Sequence, residues 1–257
     1  MTTGDILVIP VSFPDEVRPG DDLAEKLQLA LRHQKRVLRA GDILVIKHKI
    51  VSKSEGQVVQ LSTVKPSPAA KDWARKCGSD PRLVELALRE SRRVVRKKML
   101  SKKRGVFITE TRHGLVCANS GVDASNVDGG GSAVLLPRDS DRSAAHLRSQ
   151  IKKMQGVSVA VIISDSFGRP WREGLTEVAI GVAGIKPLLD YRGKRDSHGY
   201  QLRASYEAVA DELACAAGLV CGKLNRTPVC ILRGFKYQRG RGSARELIRA
   251  KGNDLFR

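Results

Sequence analysis

Apolar residues run without polar interruption from Val159 to Ile163, inside "VSVAVIIS", which predicts a strand covered on both faces. The six residues "GDILVI" occur twice, at Gly4 to Ile9 and Gly41 to Ile46. Each is a β-branched run opened by a turn signal, and both are expected to be buried strands. Between them Leu23, Leu27 and Leu31 recur along one face, a helix with Asp21 as its candidate N-cap. From Ser67 to Arg104 the pattern reads as helical, with a fresh start at Asp80–Pro81 and with Leu83, Val84, Ala87 and Leu88 on the buried side. "GVFIT" and "GLVCA" then flank "ETRHG" as a hairpin. Ala144, Leu147, Ile151 and Met154 stripe a helix over 141–154 that Gly156 closes. An alanine-rich helix over 205–220 and a core strand in "PVCILRG" complete the pattern. Strands and helices are interspersed throughout, so the class is α/β, mixed with α+β character.

At 257 residues the chain can form one large domain or two closely associated subdomains, and no internal boundary stands out in the sequence. Forty-six Lys and Arg against twenty-seven Asp and Glu give a net charge of +19, which attracts polyanions: nucleic acid, an anionic membrane surface or phosphorylated small molecules. The segment Arg89 to Arg104 holds nine of these cations and one Glu, either a solvated basic helix end or a ridge for phosphate or nucleic acid. Five cysteines at spacings that match no zinc or redox pattern read as reduced core residues. "MTTGDILVIPV" lacks a basic leader and no apolar stretch is long enough to span a bilayer, so a cytoplasmic location is expected.

Two loops concentrate the chemistry. "NSGVDASNVDGGG" presents Asp123, with Asn126 three residues on, and "VIISDSFGRPWREG" presents Asp165, expected to end its strand, with Ser166 beside it and Gly168 permitting a tight turn. Aspartates in such loops either cap a turn or jointly hold a hard cation that bridges to phosphate oxygens. "KHKIVSKSEG" adds Lys47, Lys49 and Lys53, either solvated or acting as phosphate clamps. Neither a G-x-x-x-x-G-K-[ST] loop nor a strand-linked G-x-G-x-x-G is present, and the five histidines form no ligand-spaced pair, which argues against common nucleotide folds and against zinc.

These residues stand in longer ordered motifs: "GDDLA", "GDILVIKHKIVSKSEG", "ANSGVDASNV", "ISDSFGRPWREGLTEVAIGVAGIKPLLDYRG", "PV.ILRG" and "DLFR". Through them the chain resembles, nearly end to end, the coenzyme F420:L-glutamate ligases, γ-glutamyl ligases that elongate the tail of a deazaflavin coenzyme. The resemblance implies a distinctive α/β fold, an intertwined homodimer, and GTP-dependent amide ligation with two divalent cations, Mn²⁺ or Mg²⁺, helped by K⁺. It places metal aspartates on Asp123 and Asp165, a second-metal contact on Ser166, nucleotide contacts on His48, Lys49 and Asn126, and the "SKxEG" lysine on Lys53. Archaeal members have threonine at Ser166 and small hydroxyl residues at His48 and Lys49. Lys223 aligns with an acidic metal-contact position; a cation there does not ligate metal and is suited to phosphate instead.

The implied reaction phosphorylates the terminal carboxylate of the coenzyme precursor, and the amine of L-glutamate then attacks the acyl phosphate. Glu55 and Glu207 are candidate bases for that amine. Two rival readings stay open: a basic nucleic-acid-binding protein on the same scaffold, and a related ligase for another carboxylate metabolite.

Overall fold

The structure, a computed structural model, describes residues 4–101, 104–125 and 127–254. In chain order the first half comprises β1 (Leu7–Val11), α1 (Leu23–His33), β2 (Ile43–Lys47), α2 (His48–Ser54), β3 (Val58–Gln60), α3 (Pro68–Cys77), α4 (Pro81–Arg89), β4 (Ser91–Ser101), β5 (Arg104–Thr111) and β6 (Val116–Ala118). The second half comprises β7 (Ser132–Val134), α5 (Ser140–Gln155), β8 (Ala160–Arg169), β9 (Arg172–Ala183), β10 (Leu189–Asp190), β11 (Tyr206–Glu207), α6 (Val209–Cys221) and β12 (Val229–Arg233). This is the mixed α/β class expected from the pattern. Among the described residues no helix is long and apolar enough to cross a membrane.

The main sheet has the order β1-β12-β2-β8-β9, in which only β2 and β8 run parallel. Strand alternation sends Leu44, Ile46, Val161 and Ile163 to one face, against α1 and α5. It sends Ile43, Val45, Ala160 and Ile162 to the other, against α6. Covered on both sides, β2 and β8 need no polar positions, and this explains their unbroken apolar runs. A second layer packs α3 and α4 on β4-β5-β6, centred on Trp73 set edge-on to Phe107 at 6.4 Å.

Local signals set most helix ends. Ser67 and Asp80 cap α3 and α4, each followed by proline, and Asp139 caps α5, which ends on left-handed Gly156. Glu85 ties the first two helices together: it accepts from Ser67 N–H at 2.9 Å and from Arg89 Nε at 2.8 Å. Hydrogen bonds from Ser67, then Arg89, hold its carboxyl down from 4.5 to about 2. Because the folded value is depressed, the carboxylate stabilises the fold fully above pH 4.5, and this contribution is lost as the pH falls towards 2. Urea unfolding of Glu85→Gln is therefore expected to show a deficit at neutral pH that shrinks across that window.

The structure corrects the pattern in five places. α1 is capped by Asp22, whose Oδ1 accepts from Ala24 N and Glu25 N, while Asp21 closes the preceding turn onto Arg18 N. β1 is an edge strand rather than a buried one, with Ile6 and Leu7 half exposed and with Pro10 tolerated because an edge strand can do without one N–H. The basic stretch is not a helix end: the helix stops at Arg89, and Ser91–Ser101 is a strand that pairs with β5 and points most of its cations to solvent. Pairing with "GVFIT" overrides helical spacing there, as tertiary context commonly does. On α4, Leu83 and Leu88 are only half buried and Leu86 is buried in their place. The last helix starts at Val209, because Tyr206–Glu207 is drawn into a short ladder with β10.

One close approach fixes how α5 meets the sheet. A Cβ on Gly181 would lie 2.4 Å from the Ser140 carbonyl. Gly181→Ala is expected to cost about 1–3 kcal/mol through overpacking, measured by thermal or urea unfolding.

Candidate active site

The site forms where the parallel pairing of β2 with β8 ends, at Lys47 and Ser164, beside the carboxyl end of β2, where open α/β sheets commonly place ligands. β8 does not end at Asp165. It continues to Arg169, and the turn falls at Pro170–Trp171 instead of Gly168. The register shifts between Ile163 and Ser164, where Ile180 of β9 is the extra residue, and a bulge of this kind re-aims the β9 side chains next to it, Glu177 among them. On β8, Asp165 faces the side of His48, whereas Ser164 and Ser166 face the opposite side.

Asp123 arrives by a different route. β6 leads into Asn119, Ser120 and Gly121, three consecutive residues with left-handed backbone, at φ 53°, 55° and 72°. Such strain persists only where surroundings over-determine it. Here buried Ser120 receives a 2.8 Å contact from Thr109 Oγ1 and donates to Ala87 O. Asp123 then pairs with Val134 of β7 through both backbone groups.

The two aspartates meet through adjacent residues. His48 Nε2 lies 3.3 Å from Asp165 Oδ1, and Lys49 Nζ lies 2.8 Å from Asp123 Oδ2. Lys49 also donates to the Ser125 carbonyl and hydroxyl, and Ser125 N donates to Asp123 Oδ1. Burial pushes the Asp123 carboxyl up, but hydrogen bonds from Lys49 and Ser125 more than offset this and lower it below 3.8. Asp123 is therefore ionised at neutral pH. Cys117, just ahead of the loop, has its thiol pushed up to about 12 by burial and by Asp165, so it is an inert thiol beside the site.

The remaining expected residues fall variously. Lys53 is held at 2.5 Å from Glu16 Oε1, a partner from the β1–α1 connection. Lys223 is exposed in the turn after α6, and its side chain reaches none of the other site residues. Asn126 lies outside the described residues. Ser166 does not share a face with Asp165: its hydroxyl donates at 2.7 Å to Glu177 Oε1.

Glu177 has no counterpart among the residues read from the sequence. Its carboxylate accepts from Ser164 Oγ at 2.9 Å and from Ser166 Oγ, and Lys47 Nζ lies 2.5 Å from Oε1. The Glu177 side chain is 9% exposed and that of Lys47 is 21% exposed, so this is a largely buried, fully engaged carboxylate. One signal was available: Glu177 is the charge that immediately precedes the apolar run "VAIGVA".

Among the described residues, no group of three or more His, Cys, Asp and Glu comes together as a metal site. Asp165 and Asp123, held beside His48 and Lys49, offer carboxylate oxygens, the kind that hard divalent cations prefer. A lysine ammonium already neutralises Asp123, so the position is built to receive positive charge. Asp123 and Asp165 thus fit a cation in donor type, provided phosphate and water complete its shell and Lys49 moves aside.

Comparison with known proteins shows the family. The chain is 45% identical over 253 residues to the coenzyme F420:L-glutamate ligase of Methanopyrus kandleri, covering 96% of each chain. It is also 45% identical over 255 residues to that of Methanothermobacter thermautotrophicus, covering 98% of this chain and 99% of the relative. The homologue of the same name from Methanocaldococcus jannaschii is 44% identical over 218 residues, 84% and 85% of the two chains. The family model for F420-0:gamma-glutamyl ligase matches residues 13–234, a span that takes in both aspartate loops and the His48–Lys49 step, and the chain belongs to that family.

Proposed function

We propose that this protein is a ligase that joins L-glutamate to the terminal carboxylate of the coenzyme F420 precursor, at the expense of GTP, and so extends a γ-glutamyl tail. The observation that carries the reading is the His48–Lys49 step, which faces Asp165 with one residue and Asp123 with the next. It sits in a chain whose relatives bear the name of this ligase over nearly their full length.

A free carboxylate is a poor acyl donor because oxide or hydroxide would have to leave. Transfer of the γ-phosphoryl group of GTP to that carboxylate gives an acyl phosphate and GDP. The amine of glutamate then attacks the acyl carbon, phosphate departs and the amine loses a proton. Asp123 and Asp165 would hold Mn²⁺ or Mg²⁺, which neutralises charge on the phosphoryl group in flight. Lys49, released from Asp123, and Lys53 would direct their ammonium groups to phosphate oxygens. Lys223, exposed in the turn after α6, would contact phosphate only as the resemblance implies. The Lys47–Glu177 pair, with Ser164 and Ser166, stiffens the opposite side of the same strand ends.

The exposed apolar residues Val95, Met99 and Leu100 on the β4–β5 hairpin support a homodimer, since an isolated hairpin seldom leaves such a strip uncovered. Five free cysteines suit the reducing cytoplasm.

Incubation of the full chain with precursor coenzyme, L-glutamate, GTP, Mn²⁺ and K⁺ should yield products heavier by glutamyl units on mass spectrometry, with GDP formed alongside. Arms with ATP in place of GTP, and without K⁺, test nucleotide and ion choice. No glutamyl product with any metal and nucleotide would remove the assignment.

A further inference from the structure

A cavity lies away from Asp123 and Asp165. It encloses about 770 Å³ between the start of α5, the end of β9 and the segment that follows β12. Five arginines line it, Arg142, Arg148, Arg239, Arg241 and Arg245, together with two aspartates and without a lysine or an aromatic ring.

Neither aspartate is spent on neutralising those arginines. Asp139 caps α5 by accepting from Arg142 N. Asp141 accepts from Val182 N at 2.8 Å and Ala244 N at 3.0 Å with one oxygen, and from Ser243 Oγ with the other. These bonds staple the C-terminal segment to α5 and β9, and a capping box at Ser243 and Glu246 stiffens it further. Gly242 crosses so close to Ile185 that a Cβ would lie 2.3 Å from its carbonyl oxygen. The walls are therefore fixed, while most guanidinium donors are left uncommitted, Arg239 being the one that hydrogen-bonds to a side chain, that of Tyr237. Arg148 spends only Nε, on Val159 O. Arg142, Arg241 and Arg245 form no side-chain ion pair among the described residues.

We propose that this cavity binds a small multivalent oxyanion, a phosphate- or pyrophosphate-bearing metabolite, at a site separate from the ligase centre. Five arginines against two carboxylates leave the wall net positive, which raises the local concentration of anions. Guanidinium forks match phosphate oxygens two at a time, which suits a site whose cations are all arginines. The volume is that of a small-molecule site. Single-stranded nucleic acid would call for aromatic platforms, and the lining has none. The cavity meets β9 at Val182 to Gly184, at least five residues beyond Glu177 or roughly 17 Å at the rise of a strand.

The test is calorimetric titration of the full chain with inorganic pyrophosphate at 0.15 M ionic strength and without divalent metal. This readout involves no turnover and is independent of the ligase reading. Saturable binding at one site per chain is expected. Arg142→Ala/Arg241→Ala/Arg245→Ala should weaken it by about tenfold or more, the combined effect of three exposed charge contacts. Lys49→Met/Lys53→Met should leave it unchanged, and the affinity should fall as salt rises. Because all three arginines are exposed, the variant should melt with the wild type; if it does not, Arg241→Ala alone is expected to weaken binding about threefold. Absence of saturable binding, or loss only in the lysine variant, overturns the proposal. So does displacement of pyrophosphate by far lower concentrations of a single-stranded RNA oligomer, which would mark a nucleic-acid surface.

Discussion

Asp165→Asn and Asp123→Asn should each slow glutamyl addition by on the order of 10²-fold or more, the scale seen when one preorganised charge-stabilising group is removed. Asparagine keeps the shape of each side chain and can still accept a hydrogen bond from His48 or Lys49, so the fold should survive. What disappears is the negative charge that would hold a cation against the phosphates. The two losses should be far from additive, because residues that act as one unit fail together. Timed mass spectrometry of product, with a thermal melt of each variant, checks this. A variant of either aspartate that turns over like the wild type would remove it from the reaction, and the His48–Lys49 step would then be structural.

The second large effect is expected at Glu177. Glu177→Leu leaves the Lys47 ammonium largely buried without its partner and strips the acceptor from the Ser164 hydroxyl, which is fully buried. Breaking such a pair from one side costs about 3–5 kcal/mol when burial is complete, and the partial exposure of Lys47 reduces this to about 2–4 kcal/mol. The melting temperature should fall by roughly 10 °C for a chain of this length. Glu177→Gln should recover part of the loss, because its amide oxygen still accepts from a serine although the charge is gone. Activity should drop in both variants, since Glu177 and Asp165 share the same pair of strand ends. A melt unchanged in Glu177→Leu would show that the pair contributes nothing to holding the strands.

Most of the framework could be read before any coordinates. Unbroken apolar runs at Ile43–Ile46 and Val159–Ile163 identified two central strands because a strand buried on both faces has no solvent side to carry polar residues. Asp80–Pro81 and Gly156 placed helix ends to the residue, since capping chemistry is local. The failures are equally physical. At Ser91–Ser101 the helical spacing was a property of the segment, but its strand partner, β5, decided its conformation. At β1 composition could not tell an edge from a centre, because position in a sheet is set by which strands pair.

The same division runs through the candidate site. The sequence, through its aspartate loops and the resemblance its motifs carry, singled out Asp123, Asp165, His48, Lys49 and Lys53 as candidates, because side-chain type and loop setting are local properties. Tertiary structure decided that His48 and Lys49 join the two aspartates, that Ser166 turns away to Glu177, and that five arginines scattered from Arg142 to Arg245 line one cavity. Those outcomes depend on strand alternation, on a one-residue bulge and on which distant segments pack together. None of these is encoded in the neighbourhood of any single residue.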